Sequence, residues 1–369
     1  MRAARSSSRR TTSTITTTSS ARVAAPVTIA LDANGADRGP AEVARGAARA
    51  VADDPALRVR LFGPADVLHA VELPDAVEVV DAPVSIAKAA DPARAVRAQP
   101  DASIVQAVQA VADGGADALV SGGSTGATLA AGLFRIKRQR GVHRPALAVR
   151  VPVPGRPFLL LDAGANVDAR PEHLVQFAHM GAAYMRAVAG VAAPAVGLLA
   201  NGTEPDKGTE AVVAARGALE GMPGFLGNVE GFAVGTGALD VLVTDGFTGN
   251  VLLKTMEGTS KVLLGAVRDA ATSSARAKAG GLLLRPALSG LRTALDPEAA
   301  GGAVLLGLRR LVVAPHGSFS ARGIAIAVAL AARGVRGDLM GRTHAALEAA
   351  SALRQVPLAS GSEATVARS

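Results

Sequence analysis

Short apolar runs recur along this chain, and most are followed by a polar turn and a longer stretch with helical spacing. The short runs suit strands, the Gly, Asn, Asp, Ser and Thr residues suit turns, and the Ala-rich stretches suit helices. The predicted strands cover residues 27–32, 59–62, 77–80, 116–120, 158–162, 196–200, 241–243 and 310–314. Because these runs are nearly continuous in apolar residues, they predict a largely parallel sheet with helices on both faces.

The densest group of turn and cap residues lies within residues 240–258. Val241–Val243 predicts a strand, Asp245–Asn250 a turn with a helix cap, and Val251–Met256 the start of a helix. In open α/β sheets ligands bind at the carboxyl ends of strands, where a helix N-terminus offers free N–H groups to an anion. This run therefore predicts one wall of a binding site.

A second loop of small residues follows the strand predicted at 116–120. Its sequence, Ser121-Gly-Gly-Ser-Thr-Gly126, lets backbone N–H groups approach a phosphate, and Ser124 and Thr125 add hydroxyl donors. The spacing matches neither the nucleoside triphosphate loop nor the dinucleotide fingerprint. The alternative interpretation is a tight connection without a ligand.

Three further loops carry polar residues that local capping does not explain. Asp162 and Asn166 follow the strand predicted at 158–162, and His316 lies between Pro315 and Gly317. Lys207, one of only six lysines, lies in a polar loop bounded by glycines. It is interpreted either as a cation for a phosphate or as a surface lysine.

The amino-acid composition excludes some functional classes for this protein and disfavours others. The chain is 49% hydrophobic and 19% charged, with no Trp, so it is expected to be mostly packed around Ala, Val and Leu. The absence of Cys excludes disulfides, thiolate metal sites and a cysteinyl acyl-enzyme. Of the formal net charge of +8, five positive charges precede the first acid, Asp32. Nucleic-acid binding is disfavoured because aromatic stacking residues are scarce, whereas a basic rim for an acidic protein partner stays open.

Three segments are predicted from these patterns. Residues 1–25 form a basic Ser/Thr-rich tail without a signal peptide, interpreted as disordered, although a transit peptide has a similar composition. Residues 26–335 form the folded domain that carries the motifs, and residues 336–369 form a variable tail. No run of apolar residues is long enough to predict a membrane-spanning helix.

A helical stretch at residues 261–295 carries Leu284, Leu288, Leu291 and Leu295 at helical spacing, with Arg285 and Arg292 beside them. Such a stripe suits the core, a dimer contact or an anionic membrane surface, and the core is the first expectation.

Taken in order, the motifs resemble the PlsX phosphate acyltransferases of fatty acid and phospholipid synthesis. The similarity covers about residues 27–335, and its motifs lie at residues 29–37, 121–127, 161–168, 227–230, 243–251 and 301–317. Within them, Ala36 replaces a usual glycine and Ser124 a usual Asn. Residues 97–103 lack a usual Lys-Lys pair. These departures bear on the reaction rate or the substrate preference more than on family membership.

The resemblance implies a three-layer α/β/α sandwich with a mostly parallel sheet, related to isocitrate and isopropylmalate dehydrogenases, with a helical hairpin insertion. It also implies a cytoplasmic homodimer with peripheral membrane association and neither metal nor cofactor. The implied reaction is attack of inorganic phosphate on acyl–acyl carrier protein, giving acyl phosphate and free carrier protein. The product would feed phospholipid synthesis.

The site hypothesis places all motifs in one crevice. Phosphate is assigned to Gly123–Gly126 with Lys207, and the acyl carbonyl to donors near Thr248–Asn250. His316 is the predicted proton shuttle, with Asp245 and Asn166 orienting these groups. The predicted catalytic residues are Lys207, Asp245, Asn250 and His316, and the predicted substrate-binding residues are Asp32, Gly123, Ser124, Thr125, Gly126, Asn166, Asn228, Glu230, Thr248 and Gly249.

Other functions stay open at this point. A phosphotransacetylase-like enzyme would use acyl-CoA, and a catalytically weak scaffold would only bind carrier protein at a membrane. A decarboxylating dehydrogenase is disfavoured because the paired aspartates expected for its divalent metal are not evident in the sequence.

Overall fold

A computed structural model of the protein describes residues 26–354, and within them the strands join in a single sheet. The predicted tail at 1–25 and the end of the predicted C-terminal tail lie outside these residues. The strands are β1 (Val27–Asp32), β2 (Leu57–Gly63), β3 (Val77–Asp81), β4 (Ala118–Ser121), β5 (Ala146–Val151), β6 (Phe158–Leu161), β7 (Val196–Leu199), β8 (Phe225–Val229), β9 (Val241–Val243), β10 (Ala303–Leu306) and β11 (Leu311–Ala314).

Helices fill most of the connections between these strands. They are α1 (Pro40–Asp53), α2 (Ala65–Leu68), α3 (Pro92–Ala98), α4 (Ser103–Ala112), α5 (Thr125–Ala131), α6 (Pro171–Val188), α7 (Glu210–Leu219), α8 (Gly246–Thr272), α9 (Ala275–Ala294), α10 (Ala321–Arg336) and α11 (Leu339–Ala349). A π-helical turn, Gly132–Ile136, extends α5, and 3₁₀ turns cover Gly231–Ala233 and Pro297–Ala300.

The sheet consists of two parallel parts that run in opposite directions. Its order is β3-β2-β1-β4-β11-β10-β5-β6-β9-β7-β8, and only the three pairs among β11, β10, β5 and β6 are antiparallel. The carboxyl ends of β1, β4 and β11 therefore point one way along the sheet, whereas those of β6, β7 and β9 point the other way. This reversal decides which loops can share a site.

Alternating residues along the strands build a core on each face of the sheet. On β1, Ile29 and Leu31 belong to one buried cluster, whereas Ala30 belongs to the other. On β6, Leu159 and Leu161 likewise face away from Phe158 and Leu160. Both faces are thus covered by helices, which confirms the predicted three-layer α/β/α sandwich with a mostly parallel sheet.

The predicted helical hairpin is formed by α8 and α9, which pack against each other. A Cβ at Gly281 would lie 3.1 Å from the Ala271 Cβ, so a small residue is needed where the two helices cross. No residue of α9 is buried, and the exposed fraction of Leu284 is 58%. The expectation that the leucine stripe belongs to the core is therefore wrong within one subunit.

The C-terminal boundary of the domain lies later than predicted. Helix α11 packs on α6, and its Thr343 and Leu347 side chains are fully buried. At least part of the predicted variable tail thus belongs to the core. Among the helices of residues 26–354, none is both long and apolar enough to cross a membrane.

Candidate active site

Asp32, at the end of β1, organises the first polar cluster. Its carboxylate is 3% exposed and accepts hydrogen bonds from Ser103 Oγ at 2.7 Å and Ser121 Oγ at 2.8 Å. The Asn34 N–H adds a third bond at 3.2 Å. Burial raises the pKa of Asp32, and these three hydrogen bonds oppose the rise. The predicted site residue Asp32 is thus a buried acceptor whose main partners are rotatable hydroxyls.

The predicted phosphate loop follows β4 and lies directly on this cluster. Gly123 donates its N–H to Ser121 Oγ at 3.3 Å, and Ser124 caps α5 by accepting from the Ala127 N–H at 3.4 Å. The N–H groups of Thr125 and Gly126 come at the first turn of α5, where no intrahelical acceptor exists. No hydrogen bond within residues 26–354 uses these two groups. They are therefore available to an anion.

His316 lies in the loop after β11, beside the same cluster. Its exposed ring accepts the Ser318 N–H at Nδ1 over 3.2 Å and lies 2.8 Å from Ser318 Oγ. Because Nδ1 accepts the backbone bond, the neutral ring carries its proton on Nε2. The loop is tied to the first motif because Asp37 donates its N–H to the Gly317 carbonyl at 2.9 Å. His316 thus offers a hydrogen-bond donor to its surroundings.

Asp162, after β6, organises a second cluster in a different way. Its carboxylate is fully buried and accepts four backbone N–H groups at 2.7–3.2 Å, from Leu147, Gly164, Ala165 and Asn166. The Asn166 amide adds a fifth bond at 2.8 Å. Burial raises the pKa of Asp162, and the hydrogen bonds from Ala165, Leu147 and Asn166 oppose the rise. Asp162 and Asn166 therefore have a local structural role that the sequence does not reveal.

The start of α8 is built onto this second cluster. Asp245 caps the helix, with Oδ1 accepting the Thr248 N–H at 2.8 Å and Oδ2 accepting Thr248 Oγ1 at 2.7 Å. The Gly249 N–H donates to the Asp245 carbonyl, and the Gly246 N–H donates to the Asn166 carbonyl. The backbone N–H groups of Thr248 and Gly249 are thus occupied within the described residues and do not support the predicted contact with the acyl carbonyl, which stays a prediction for these two residues.

Gly249 is required by packing. A Cβ built on it would lie 1.9 Å from the Asp162 carbonyl oxygen, far inside van der Waals contact. Asn250, by contrast, is exposed at the next position and lies near Gly164. Of the predicted residues on α8, Asn250 alone presents an exposed side chain without a hydrogen bond recorded among residues 26–354.

The loop before α7 is fixed by Asn228. This side chain is 4% exposed, and its Nδ2 donates to the carbonyls of Glu204 at 2.8 Å and Lys207 at 3.1 Å. Lys207 is exposed and forms no ion pair with a residue of the described range. Glu230 is half-buried and begins a 3₁₀ turn, with the Ala233 N–H donating to its carbonyl. Asn228 thus shapes the loop from within.

The predicted residues therefore fall into two groups rather than one hydrogen-bonded crevice. Asp32, Gly123–Gly126 and His316 follow strands of one direction, whereas Asn166, Lys207 and Asp245 follow strands of the other. Within residues 26–354 no hydrogen bond or ion pair joins Lys207 to the Gly123–Gly126 loop. The contacts of one subunit consequently give no support to the predicted pairing of Lys207 with that loop.

Three potential metal ligands meet elsewhere, at the start of α6. Donor atoms of His143, Glu172 and His173 lie within 4.8 Å of one another. Nδ1 of His173 accepts the Arg170 N–H at 3.1 Å, which leaves the proton on Nε2 and disfavours coordination there. Burial is the main cause that lowers the pKa of both histidines, and nearby arginines lower it further. The same positive charges disfavour a cation, so we assign no metal to this cluster.

Sequence reasoning missed the hydroxyls that complete the first cluster. Ser103 and Ser121 are both 1% exposed and donate to Asp32, and Thr128 Oγ1 lies 3.4 Å from Ser121 Oγ. Ser121 could have been identified as the last residue of an apolar strand. Ser103 gave no comparable signal, because only the folded chain brings α4 beside β1.

Comparison with solved structures defines the class of fold. The chain is similar to the EutD phosphotransacetylase from Staphylococcus aureus, with 18% identity and a TM-score of 0.53 over 84% of this chain and 94% of that one. It is also similar to a branched-chain phosphotransacylase from Enterococcus faecalis, with 17% identity and a TM-score of 0.52 over 84% and 99% of the two chains. The protein thus has the α/β fold found in phosphotransacylases.

Sequence comparison then gives the family. A model described as "Fatty acid synthesis protein" matches residues 27–342. The chain is 44% identical to a phosphate acyltransferase of Geobacillus thermodenitrificans over 88% of this chain and 100% of the relative. It is 44% identical to a phosphate acyltransferase of Thermobifida fusca over 84% and 88% of the two chains. The chain therefore belongs to the fatty acid synthesis protein family and is a phosphate acyltransferase, which confirms the resemblance seen in its motifs.

Proposed function

We propose that the protein transfers an acyl group from acyl carrier protein to inorganic phosphate, giving acyl phosphate for phospholipid synthesis. Family membership supports an acyl transfer to phosphate. The observation that carries the proposal in this chain is the first cluster. It combines free N–H groups at Thr125 and Gly126 with a proton on His316 Nε2, at the ends of neighbouring strands.

The reaction requires the protein mainly to position the two reactants and to stabilise the oxyanion. Phosphate is largely dianionic near neutral pH and is already nucleophilic, and a thiolate is a tolerable leaving group. Orientation of two reactants can lower a barrier by about 7–11 kcal/mol, and one good oxyanion donor contributes about 3–4 kcal/mol. Fixed N–H groups and one histidine can supply both effects.

In the proposed reaction a phosphate oxygen attacks the thioester carbonyl carbon and forms a tetrahedral oxyanion. The N–H groups of Thr125 and Gly126 hold the phosphate, and Asp32 fixes Ser121, which positions the loop. Collapse of the intermediate breaks the carbon–sulfur bond, and the electron pair leaves on sulfur. The thiolate takes up the proton that the attacking hydrogen phosphate carried, and His316 Nε2–H donates a hydrogen bond to the leaving sulfur during this transfer.

The test is to trap acyl phosphate. The protein is supplied with long-chain acyl–acyl carrier protein and phosphate, without metal or nicotinamide cofactor, and hydroxylamine converts any acyl phosphate to a hydroxamate. The proposal expects phosphate-dependent hydroxamate and free carrier protein. If the protein turned over acyl-CoA but not acyl–acyl carrier protein, acyl-CoA would be the donor. If neither donor gave product, a scaffold that only binds carrier protein would be favoured.

The role of Lys207 stays a prediction and has its own test. In Lys207→Ala, loss of a phosphate-binding cation would raise the KM for phosphate. An unchanged KM in a folded variant would remove Lys207 from the site.

Acyl-CoA is the alternative donor. This second candidate is favoured by the similarity of the fold to phosphotransacetylases. The ratio of kcat/KM for the two donors with the same acyl chain decides between them. We propose the carrier protein as the better donor.

We further propose that the protein forms a homodimer and that the α8–α9 hairpin of each subunit contacts membrane lipid. Val262, Leu263 and Leu282–Leu284 are each at least 58% exposed on it, and Arg285 lies beside them. An apolar helix face with basic flanks can lie on an anionic bilayer surface. Conversion of the exposed leucines to Ser is expected to abolish binding to anionic liposomes, and binding that survives would exclude the hairpin as the contact.

A further inference from the structure

One stretch of the chain carries an unbalanced positive charge. Residues 118–161 contain seven Lys and Arg residues and neither Asp nor Glu. The formal charge of the folded part therefore concentrates around the loop after β4 and the segments that follow it. Uncompensated charge on a surface raises the local concentration of partners of opposite charge.

Helix α3 joins the π-helical turn of this stretch at one surface. Arg94 and Arg97 are exposed and three residues apart, so they lie on the same face of α3. The Arg97 guanidinium lies 4.2 Å from the centroid of the Phe134 ring, and the turn that holds Phe134 contains Arg135 and is followed by Lys137 at its C-cap. We name Arg94, Arg97, Arg135 and Lys137 the basic patch.

None of the four side chains of the basic patch forms an ion pair with another residue of the described range. Some half-buried arginines, by contrast, are neutralised locally, as Arg60 is by Glu78 at 2.9 Å and Arg322 by Asp296 at 2.6 Å. The contact with Phe134 orients the Arg97 guanidinium without cancelling its charge. The patch thus keeps its charge available for an external partner.

The basic patch adjoins the candidate site. Helix α3 packs against α5, and a Cβ at Gly126 would lie 3.2 Å from Pro92 Cγ at the start of α3. A partner seated on the patch would therefore stand beside the free N–H groups of Thr125 and Gly126. A flexible acyl-bearing arm on that partner could reach them from outside.

We infer that the basic patch is the docking surface for an acidic protein, the carrier that presents the acyl thioester. This inference rests on the proposed function and adds where the donor binds. An anionic bilayer fits less well, because the exposed apolar side chains that would enter it lie on the α8–α9 hairpin. Charge complementarity of this kind mainly speeds encounter and is weakened by salt.

The test compares a carrier-bound donor with a small donor. Arg94→Glu/Arg97→Glu is expected to raise the KM for acyl–acyl carrier protein about tenfold or more at low salt, with kcat little changed. With acyl-pantetheine, which lacks the acidic protein, kcat/KM is expected to match the wild type. The difference between variant and wild type should shrink as salt is added.

The matched control reverses two arginines on helices α6 and α11, which cover the other face of the sheet from α3. Arg186 and Arg342 are exposed, and neither forms an ion pair within residues 26–354. Arg186→Glu/Arg342→Glu is expected to leave the KM for both donors unchanged, and an equal rise in this control would show that the effect depends only on net charge. Circular dichroism and unfolding midpoints verify that both variants fold.

Two results would overturn the inference. One is an unchanged KM for acyl–acyl carrier protein in the patch variant, and the other is an equal loss with acyl-pantetheine, which would place the arginines at the small donor. Failure of the proposed function is distinct, because the wild-type protein would then form no acyl phosphate from the carrier-bound donor.

Discussion

Asp32 and Asp162 are both buried at strand ends, yet they are satisfied by different donors. Asp32 takes two serine hydroxyls and one backbone N–H, whereas Asp162 takes four backbone N–H groups and the Asn166 amide. Hydroxyls can rotate and can exchange donor for acceptor, but a backbone N–H cannot. Asp162 therefore fixes the path of the chain, while Asp32 positions side chains beside a loop with free N–H groups.

The largest effect is expected from crowding the Asp162 cluster. Gly249→Ala places a methyl group 1.9 Å from the Asp162 carbonyl oxygen. We expect the free energy of unfolding to fall by about 3 kcal/mol or more. Urea unfolding measures it. Gly258→Ala on the same helix, where a Cβ meets nothing within 4 Å, should instead gain about 0.5–1 kcal/mol. Equal stabilities for the two variants would contradict the packing role of Gly249.

The next largest effect is a difference in the loss of stability between Asn substitutions at Asp162 and at Asp32. Asp162→Asn turns an amide NH2 toward backbone donors that cannot reorient, so we expect a loss of about 2–3 kcal/mol in unfolding free energy. The same change at Asp32 should cost only about 1 kcal/mol, because Ser103 and Ser121 can rotate to accept. Paired urea titrations check the order, and a larger loss at Asp32 would reverse the comparison.

The pH dependence of Asp32 sharpens the comparison further. Its folded-state pKa is raised by burial above the ordinary value of 3.8. The stabilising contribution of this carboxyl is therefore complete below the unfolded pKa and is lost as pH rises through the folded pKa. We expect the stability advantage of the wild type over Asp32→Asn to narrow as pH rises above about 4. Unfolding free energies measured across that range test it, and an advantage that widened would show that hydrogen bonding outweighs burial.

The smallest effect on stability is expected within the Asp32 cluster itself. Ser121→Ala and Ser103→Ala each remove one bond to Asp32 and should each cost about 1 kcal/mol in unfolding free energy. Ser121 also holds the Gly123 N–H. We therefore expect Ser121→Ala alone to lower kcat/KM, by about tenfold, through misplacement of the loop. Equal kcat/KM values in Ser121→Ala and Ser103→Ala would show that Ser121 does not position the loop.

Local sequence predicted the elements well where the pattern was periodic or capped. The strand Val241–Val243 and the helix opening after Asp245 lie where the turn residues indicated. Strand β5 was missed, because the segment around Ala146–Val151 carries Pro and Arg residues that obscure its apolar pattern. The helical hairpin was predicted, but whether its leucines are buried depends on what packs against it.

The sequence by itself determined the strand, loop and helix units, the cap at Asp245 and the family to which the chain belongs. Only the tertiary structure decided that the sheet reverses direction between β11 and β6, so that Lys207 and the loop at Gly123 follow strands of opposite direction. It also decided that the N–H groups of Thr248 and Gly249 are occupied, whereas those of Thr125 and Gly126 meet no acceptor within residues 26–354. The physical reason is that caps and periodicity are local, whereas strand direction and hydrogen-bond satisfaction depend on partners far along the chain.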